Sequence, residues 1–305
     1  MTWTFTEDLK EFLDAAHESL ASRPVRDTLL LTVSATLVRR GMDAYGEEPP
    51  LFGWWRRPAD GVVDGALIWT PPEPVLLSAV PRDAVRPLVR ALGDGAAPGG
   101  RDVTGLHVES EAAAEAAAAW TESAGAGSGG LRRGVEHRLY RLAELVPPPR
   151  LPAGRARRAT REDREVLVEW VRAFAADTGQ PGNRAEAVVD ERVRHGGLRV
   201  WEDPGGTPVS MAGVTLPAEG TVRLSLVYTP PALRGNGYAA AVTADLSAAA
   251  VAAGAEEVLL FADTANPVSN RMYQRLGFEE VSTRVVLTVP DGPAADWAAP
   301  GVRAG

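Results

Sequence analysis

The run from Val222 to Phe261 limits the possible folds more than any other part of the chain. Val222 to Tyr228 is short, apolar and rich in β-branched or aromatic residues, so it reads as a strand. It ends in Thr229-Pro230-Pro231-Ala232-Leu233-Arg234-Gly235-Asn236-Gly237. That turn opens directly into an alanine-dense helix, Tyr238 to Ala253, which stops at Gly254 and leads to the buried-looking strand Val258-Leu259-Leu260-Phe261. Strand, glycine loop, helix and strand in that order form a parallel crossover unit. Glycines at 235 and 237 let the backbone pack tightly and aim consecutive N–H groups outward, and the positive end of the following helix dipole adds to the attraction. Such a loop suits a diphosphate. A plain turn and other phosphate loops compete with this reading. No Gly-Lys-Ser/Thr follows, which excludes the nucleoside-triphosphatase loop, and a dinucleotide fold would place Gly-x-Gly-x-x-Gly after the first strand of a doubly wound sheet.

Here a meander precedes the loop. Leu198 to Trp201, Val209 to Leu216 and Val222 to Tyr228 are separated by Asp203-Pro204-Gly205-Gly206 and Pro217-Ala218-Glu219-Gly220, as in three antiparallel strands. A helix over Arg161 to Ala176, with Val166, Leu167, Trp170, Val171 and Phe174 on one face, opens this half. A helix over Ser269 to Leu276, stopped by Gly277, and a strand over Val281 to Val289 close it. The first half repeats this order more faintly: strands at Gly65 to Trp69 and Val75 to Val80, a helix from Arg82 to Leu92, a strand at Val103 to Val108, a helix from Glu109 to Trp120 and a strand from Val135 to Leu142. At its strand-to-helix junction stands Val80-Pro81-Arg82-Asp83-Ala84, with no glycine for close approach to a phosphate, so a copy here has lost the cofactor. Glycine-rich stretches at Gly93 to Gly100 and Ser123 to Gly130 read as surface linkers.

A chain of 305 residues suggests two domains of about 150 residues each. The seam is Val146-Pro147-Pro148-Pro149-Arg150-Leu151-Pro152-Ala153-Gly154, because consecutive prolines exclude helix and favour an extended spacer. The expected organisation is a first domain over 1–146, a proline-rich linker over 147–155 and a second domain over 156–305. Each would be an α/β (α+β) unit with a mixed, mostly antiparallel twisted sheet flanked by helices.

Cysteine is absent, which removes disulfides, thiolate metal sites and an acyl-cysteine intermediate. The formal charge of -8 argues against a nucleic-acid partner and fits a neutral or cationic small substrate. No apolar run is long enough for a bilayer and the N-terminus lacks a secretion signal, so the expectation is a cytoplasmic protein with no membrane partner. His17, His107, His137 and His195 are scattered without metal-ligand spacing, and no metal is expected. Trp54-Trp55 beside Arg56-Arg57 reads either as the aromatic and cationic rim of a substrate pocket between the halves or as part of a core or domain interface.

Arg234-Gly235-Asn236-Gly237-Tyr238-Ala239 resembles the Gln/Arg-x-x-Gly-x-Gly/Ala loop of the GCN5-related N-acetyltransferase family. Asn266 to Phe278 resembles that family's later motif, an Asn seven residues before a Tyr and then Leu276-Gly277-Phe278. The resemblance covers the second half closely and the first by its element order alone. It implies two tandem domains of that fold, the second binding acetyl-CoA and transferring the acetyl group to a small-molecule or peptide amine by direct attack. By the same resemblance, the N–H of Val227 would polarise the thioester carbonyl, and Tyr228 and Thr229 would border the pantetheine arm, Thr229 pairing with it like an added strand. Arg234, Gly235, Asn236, Gly237, Tyr238 and Ala239 would hold the diphosphate, Asn266 and Asn270 would hold the cofactor arm, and Tyr273 would protonate the departing thiolate. A core role competes for Tyr273, beside Met272 and Leu276.

The general base has no obvious candidate, since Val222 to Tyr228 carries no carboxylate. Asp177 comes first, with Asp263 and Glu202 behind it, although exposed carboxylates are ordinarily solvated. Water, or an amine arriving neutral, would replace a base. A catalytically weak acetyl-CoA sensor or scaffold is the alternative that the missing base motivates.

Overall fold

The computed structural model describes residues 3–93, 102–123, 130–179 and 182–290. The glycine stretches expected as linkers fall mostly outside these residues. The chain divides into two compact units, the first comprising residues 3–136 with 283–290 and the second residues 137–282 of those described.

In the first unit, β1 (Trp3–Thr6) leads to α1 (Leu9–Ala21), whose N-terminus is capped by the Asp8 carboxylate accepting from Lys10 and Glu11 N–H. Then come α2 (Thr28–Arg40), β2 (Leu51–Arg56), β3 (Val63–Trp69), β4 (Val75–Leu77), α3 (Arg82–Gly93), β5 (Gly105–Glu109) and α4 (Ser110–Ser123). β1 to β4 form an antiparallel ladder and β5 lies parallel to β4. The core packs Trp55, Leu67, Val75 and Leu106 of the sheet against Val85, Leu88 and Val89 of α3 and Ala112, Ala116 and Trp120 of α4. Trp54 and Trp55 are both buried in β2, paired to Ala66 and Gly65, with Trp55 in this core, so they form no exposed rim.

β6 (Arg132–Leu142) leaves the first unit at Glu136. The second unit continues with β7 (Arg155–Arg158), α5 (Arg164–Thr178) after a short 3-10 turn at Arg161–Asp163, α6 (Ala185–Arg194), β8 (Leu198–Glu202), β9 (Pro208–Val214), β10 (Thr221–Tyr228), α7 (Tyr238–Ala252), β11 (Glu257–Asp263), α8 (Pro267–Arg275) and β12 (Phe278–Thr288). β7 to β10 are antiparallel neighbours, and β11 lies parallel to β10. One face packs on α7 and α8 through Val222, Leu224, Val227, Val242, Leu246, Leu260 and Tyr273. The other packs on α5 and α6 through Val200, Met211, Leu226, Leu167, Phe174 and Val189.

Each unit takes its sixth strand from the other part of the sequence. β5 pairs with the end of β12, Glu109 opposite Arg284 and Gly105 opposite Thr288, whereas β11 pairs with β6, Asp263 opposite His137 and Leu259 opposite Arg141. The compact units therefore divide at 136/137 and 282/283. The proline stretch at 147–155, read from sequence as the linker between 1–146 and 156–305, lies within the second unit. Proline marks where helix is impossible, but unit membership follows backbone pairing, which composition does not reveal.

Sequence patterning left out β1, α1, α2, β2, β7 and α6. β7, Arg155-Ala156-Arg157-Arg158, has no alternation of apolar residues, and pairing to β8 makes it a strand. Arg157 is bound there by Asp163 at 2.7 Å and by Glu202 at 2.5 Å.

Candidate active site

β10 and β11 pair from Thr221 opposite Glu257 to Leu224 opposite Leu260, and there the ladder ends, although β10 runs on to Tyr228 and β11 to Asp263. The cause lies in β10. Its register with β9 shifts between Ser225 and Tyr228, and Leu226 takes a left-handed φ of 54°. The extra residue is a β-bulge, which turns the strand end away. Left-handed geometry costs a leucine about 1–2 kcal/mol, which its burial among Leu167, Phe174 and Met211 offsets. β11 instead follows β6, Phe261 opposite Leu139. The strands thus open like a V over the backbone of Val227, Tyr228 and Thr229.

At the mouth of this opening, the loop leading to α7 is tied down by its own residues. Thr229 is buried, its Oγ1 2.9 Å from Ser210 Oγ, which also donates to the Tyr228 carbonyl at 3.0 Å. Arg234 Nε donates back to the Thr229 carbonyl at 3.0 Å, Nη2 donates to Asp177 Oδ2 at 2.7 Å, and the guanidinium carbon lies 5.8 Å from the Tyr228 ring centre. Asn236 Nδ2 donates to the Leu233 carbonyl at 3.0 Å. Gly235 and Gly237 both take φ of 82°, and a methyl added to either would meet nothing within 4 Å. The glycines are therefore required by backbone geometry, and the space above them is open. Gly237 caps α7 with no side-chain acceptor, so the first-turn N–H groups through Tyr238 and Ala239 point outward at the positive end of the helix.

The later motif lines the other strand. Pro267 opens α8 and Asn266 caps it, its Oδ1 accepting from Ser269 N–H at 3.1 Å. Asn270 Nδ2 donates to the carbonyls of Asp263 at 2.7 Å and Asn266 at 2.6 Å, while its Oδ1 accepts from the Tyr140 hydroxyl at 2.8 Å. Asn270 thus holds the turn between β11 and α8. Tyr273, one turn on, packs 6.4 Å from Tyr140 and edge-on to Phe278 at 6.0 Å. Burial pushes its phenol well above the ordinary range, so it is protonated at neutral pH. Among the described residues nothing accepts from this hydroxyl.

The three candidate carboxylates sit on three different elements, α5, β8 and β11. Asp177, in the last turn of α5, is committed to Arg234. Glu202 is bound by Arg155 and Arg157, which hold its carboxyl below the usual range. Asp263 is buried and accepts from Ala265 N–H at 2.8 Å. Sequence reasoning missed Ser210 and Tyr140. Ser210 is one small polar residue in a strand, and Tyr140 sits on a strand whose sequence position assigns it to the other half. Among the described residues no group of three or more acidic or histidine side chains could hold a metal ion, and no helix is long and apolar enough to cross a membrane.

Residues 205–287, which contain the loop and the later motif, match the family model described as FR47-like protein. No curated protein sequence matches the chain. Among solved structures, an acetyltransferase of the GNAT family from Colwellia psychrerythraea is 14% identical with a TM-score of 0.58, the alignment covering 95% of this chain and 99% of that one. A GCN5-related N-acetyltransferase from Sphaerobacter thermophilus is 18% identical with a TM-score of 0.59, covering 93% and 94%. One from Kribbella flavida is 20% identical with a TM-score of 0.53, covering 92% and 98%. At these identities the likeness is one of fold.

Proposed function

We propose that this chain, which has the fold of the GCN5-related N-acetyltransferases, uses its second unit to transfer an acetyl group from acetyl-CoA to an amine by direct attack. One observation carries the reading: an opened pair of parallel strands leads into a loop whose two left-handed glycines leave open space before an uncapped helix N-terminus. The diphosphate of coenzyme A would lie on the N–H groups of 234–239, and the pantetheine arm would run along Tyr228 and Thr229 as a short added strand. Asn266 and Asn270 hold the turn on the opposite side of that arm.

In the reaction, the amine nitrogen forms a bond to the acetyl carbon and the carbon–sulfur bond breaks. The amine loses one proton and the coenzyme sulfur gains one. The Val227 N–H would stabilise the oxyanion of the tetrahedral intermediate, a contact stronger in the transition state than in the ground state. The Tyr273 phenol, buried and protonated, would give its hydrogen to the departing thiolate. The pairing of Asp177 with Arg234 favours a part for Asp177 in holding the loop rather than in taking the amine's proton. An amine arriving neutral, or a water, serves that step.

Calorimetric titration with acetyl-CoA, alongside Gly237→Glu, tests the site. Binding by the wild type that is lost in the variant is expected, and equal affinity would sink the loop assignment. Thiol release across a panel of amines tests the transfer. A sensor or scaffold is the second reading, favoured by the absence of a carboxylate on β10. Tight binding with no thiol release from any amine would select it.

A further inference from the structure

The first unit has a counterpart of the opening just described. β4 and β5 run parallel only from Val75 opposite Leu106 to Leu76 opposite His107. Beyond that, the chain after β4 stays with β3, the Ser78 N–H donating to the Ala66 carbonyl at 2.9 Å, while β5 follows β12 to Glu109 opposite Arg284. The strands part as β10 and β11 do.

This gap is filled from within. Arg284, fully buried, extends Nη2 to the carbonyl of Leu77 on β4 and, at 3.0 Å, to that of His107 on β5, so one guanidinium nitrogen bridges both parted strands. Asp27, also fully buried, stands where an aspartate would ordinarily cap α2, yet it makes no capping bond to that helix. Its Oδ1 instead accepts from the N–H of Ala79 at 2.9 Å, just past the end of β4, and its Oδ2 from Arg23 Nε at 3.2 Å. Both groups do to this backbone what the arm of a bound coenzyme would do to Val227, Tyr228 and Thr229: they satisfy strand-end amides and carbonyls with atoms other than those of a neighbouring strand's backbone. Arg284 Nε and Nη1 find no partner among the described residues, an arrangement tolerated only where the rest of the group is well held.

We infer that the first unit keeps the opening but occupies it with Arg284 and Asp27, so that each chain takes a single coenzyme, in the second unit. The inference rests on the coenzyme reading of the second unit. Its filler arrives on β12, which places the block in the first unit through the last strand of the sequence.

The test has two arms on the full chain. In calorimetry with acetyl-CoA, the wild type should bind one coenzyme and Gly237→Glu none. A site surviving in Gly237→Glu would overturn the inference, whereas no binding by the wild type would instead overturn the functional reading and leave the second arm to judge the clasp. In that arm, Arg284→Ala should melt several degrees lower, followed by the fluorescence of Trp3, Trp54, Trp55, Trp69 and Trp120 of this unit. Millimolar guanidinium, but not equal urea, should restore the loss by refilling the gap. Unchanged melting, or a loss that guanidinium does not restore, would overturn it. Should Arg284→Ala fail to fold, Asp27→Ala serves. It should lower melting while leaving acetyl-CoA affinity unchanged, and altered affinity or unaltered melting would count against the clasp.

Discussion

At the residue scale, the candidate site separates groups that react from groups that hold. Tyr273→Phe removes one oxygen from a buried ring packed against Tyr140 and Phe278. If the phenol supplies the proton, kcat should fall about 100-fold, with KM for acetyl-CoA changed less than about twofold. Equal steady-state constants would leave Tyr273 as packing. Asp177→Asn should raise KM for acetyl-CoA by up to about fivefold, the scale of a half-exposed ion pair, and leave the pH profile of kcat in place. Loss of the profile's acid limb would instead make Asp177 the base. Gly237→Ala adds a methyl that meets no protein atom within 4 Å, so within the protein its cost is strain at a φ of 82°. About 1 kcal/mol of lost stability in thermal melts is expected, with coenzyme binding weakened by the methyl but not abolished as in Gly237→Glu. Gly235, Gly237 and Asn266 were legible in the sequence because a glycine pair before a helix, and an asparagine cap before a proline, are short-range patterns whose geometry follows from the residues themselves.

At the scale of elements, β7 is held by charge rather than by apolar alternation. Arg157 hydrogen-bonds Asp163 and thereby keeps that carboxyl below its ordinary value, against the opposing effect of burial; Asp163 also accepts from Thr160 N–H at 2.8 Å to start the turn into α5. A carboxyl depressed in the folded state contributes stability that is present above its unfolded value, about pH 4, and is lost as pH falls through its folded value. Thermal melts should therefore fall steeply on acidification below about pH 4, and Arg157→Met should flatten that limb. An unchanged acid limb would show that this cluster does not join β7 to α5. None of this was legible from Arg155-Ala156-Arg157-Arg158, which carries no periodicity. The bulge at Leu226 was equally hidden, since a leucine in an apolar strand gives no local sign of positive φ.

At the scale of the whole molecule, the exchanged strands decide what can be cut. Fragments 1–146 and 156–305 would each carry the wrong sixth strand, leaving β5 without β12 and β11 without β6. They should be poorly folded alone, and chain shortened to end at 282 should lose the melting transition reported by the first unit's tryptophans. Two independently folded fragments, by circular dichroism and melting, would contradict this. The strand–loop–helix–strand crossover, the glycine pair before α7 and the asparagine cap of α8 are written in the local sequence, because each arises from contacts within some tens of residues. Long-range packing sets which strands close each sheet, buries Trp54 and Trp55, and brings Arg284 and Asp27 each to the backbone at the first unit's gap. Backbone hydrogen bonds are the same for every residue, so a strand's partner is chosen by the packing of distant side chains.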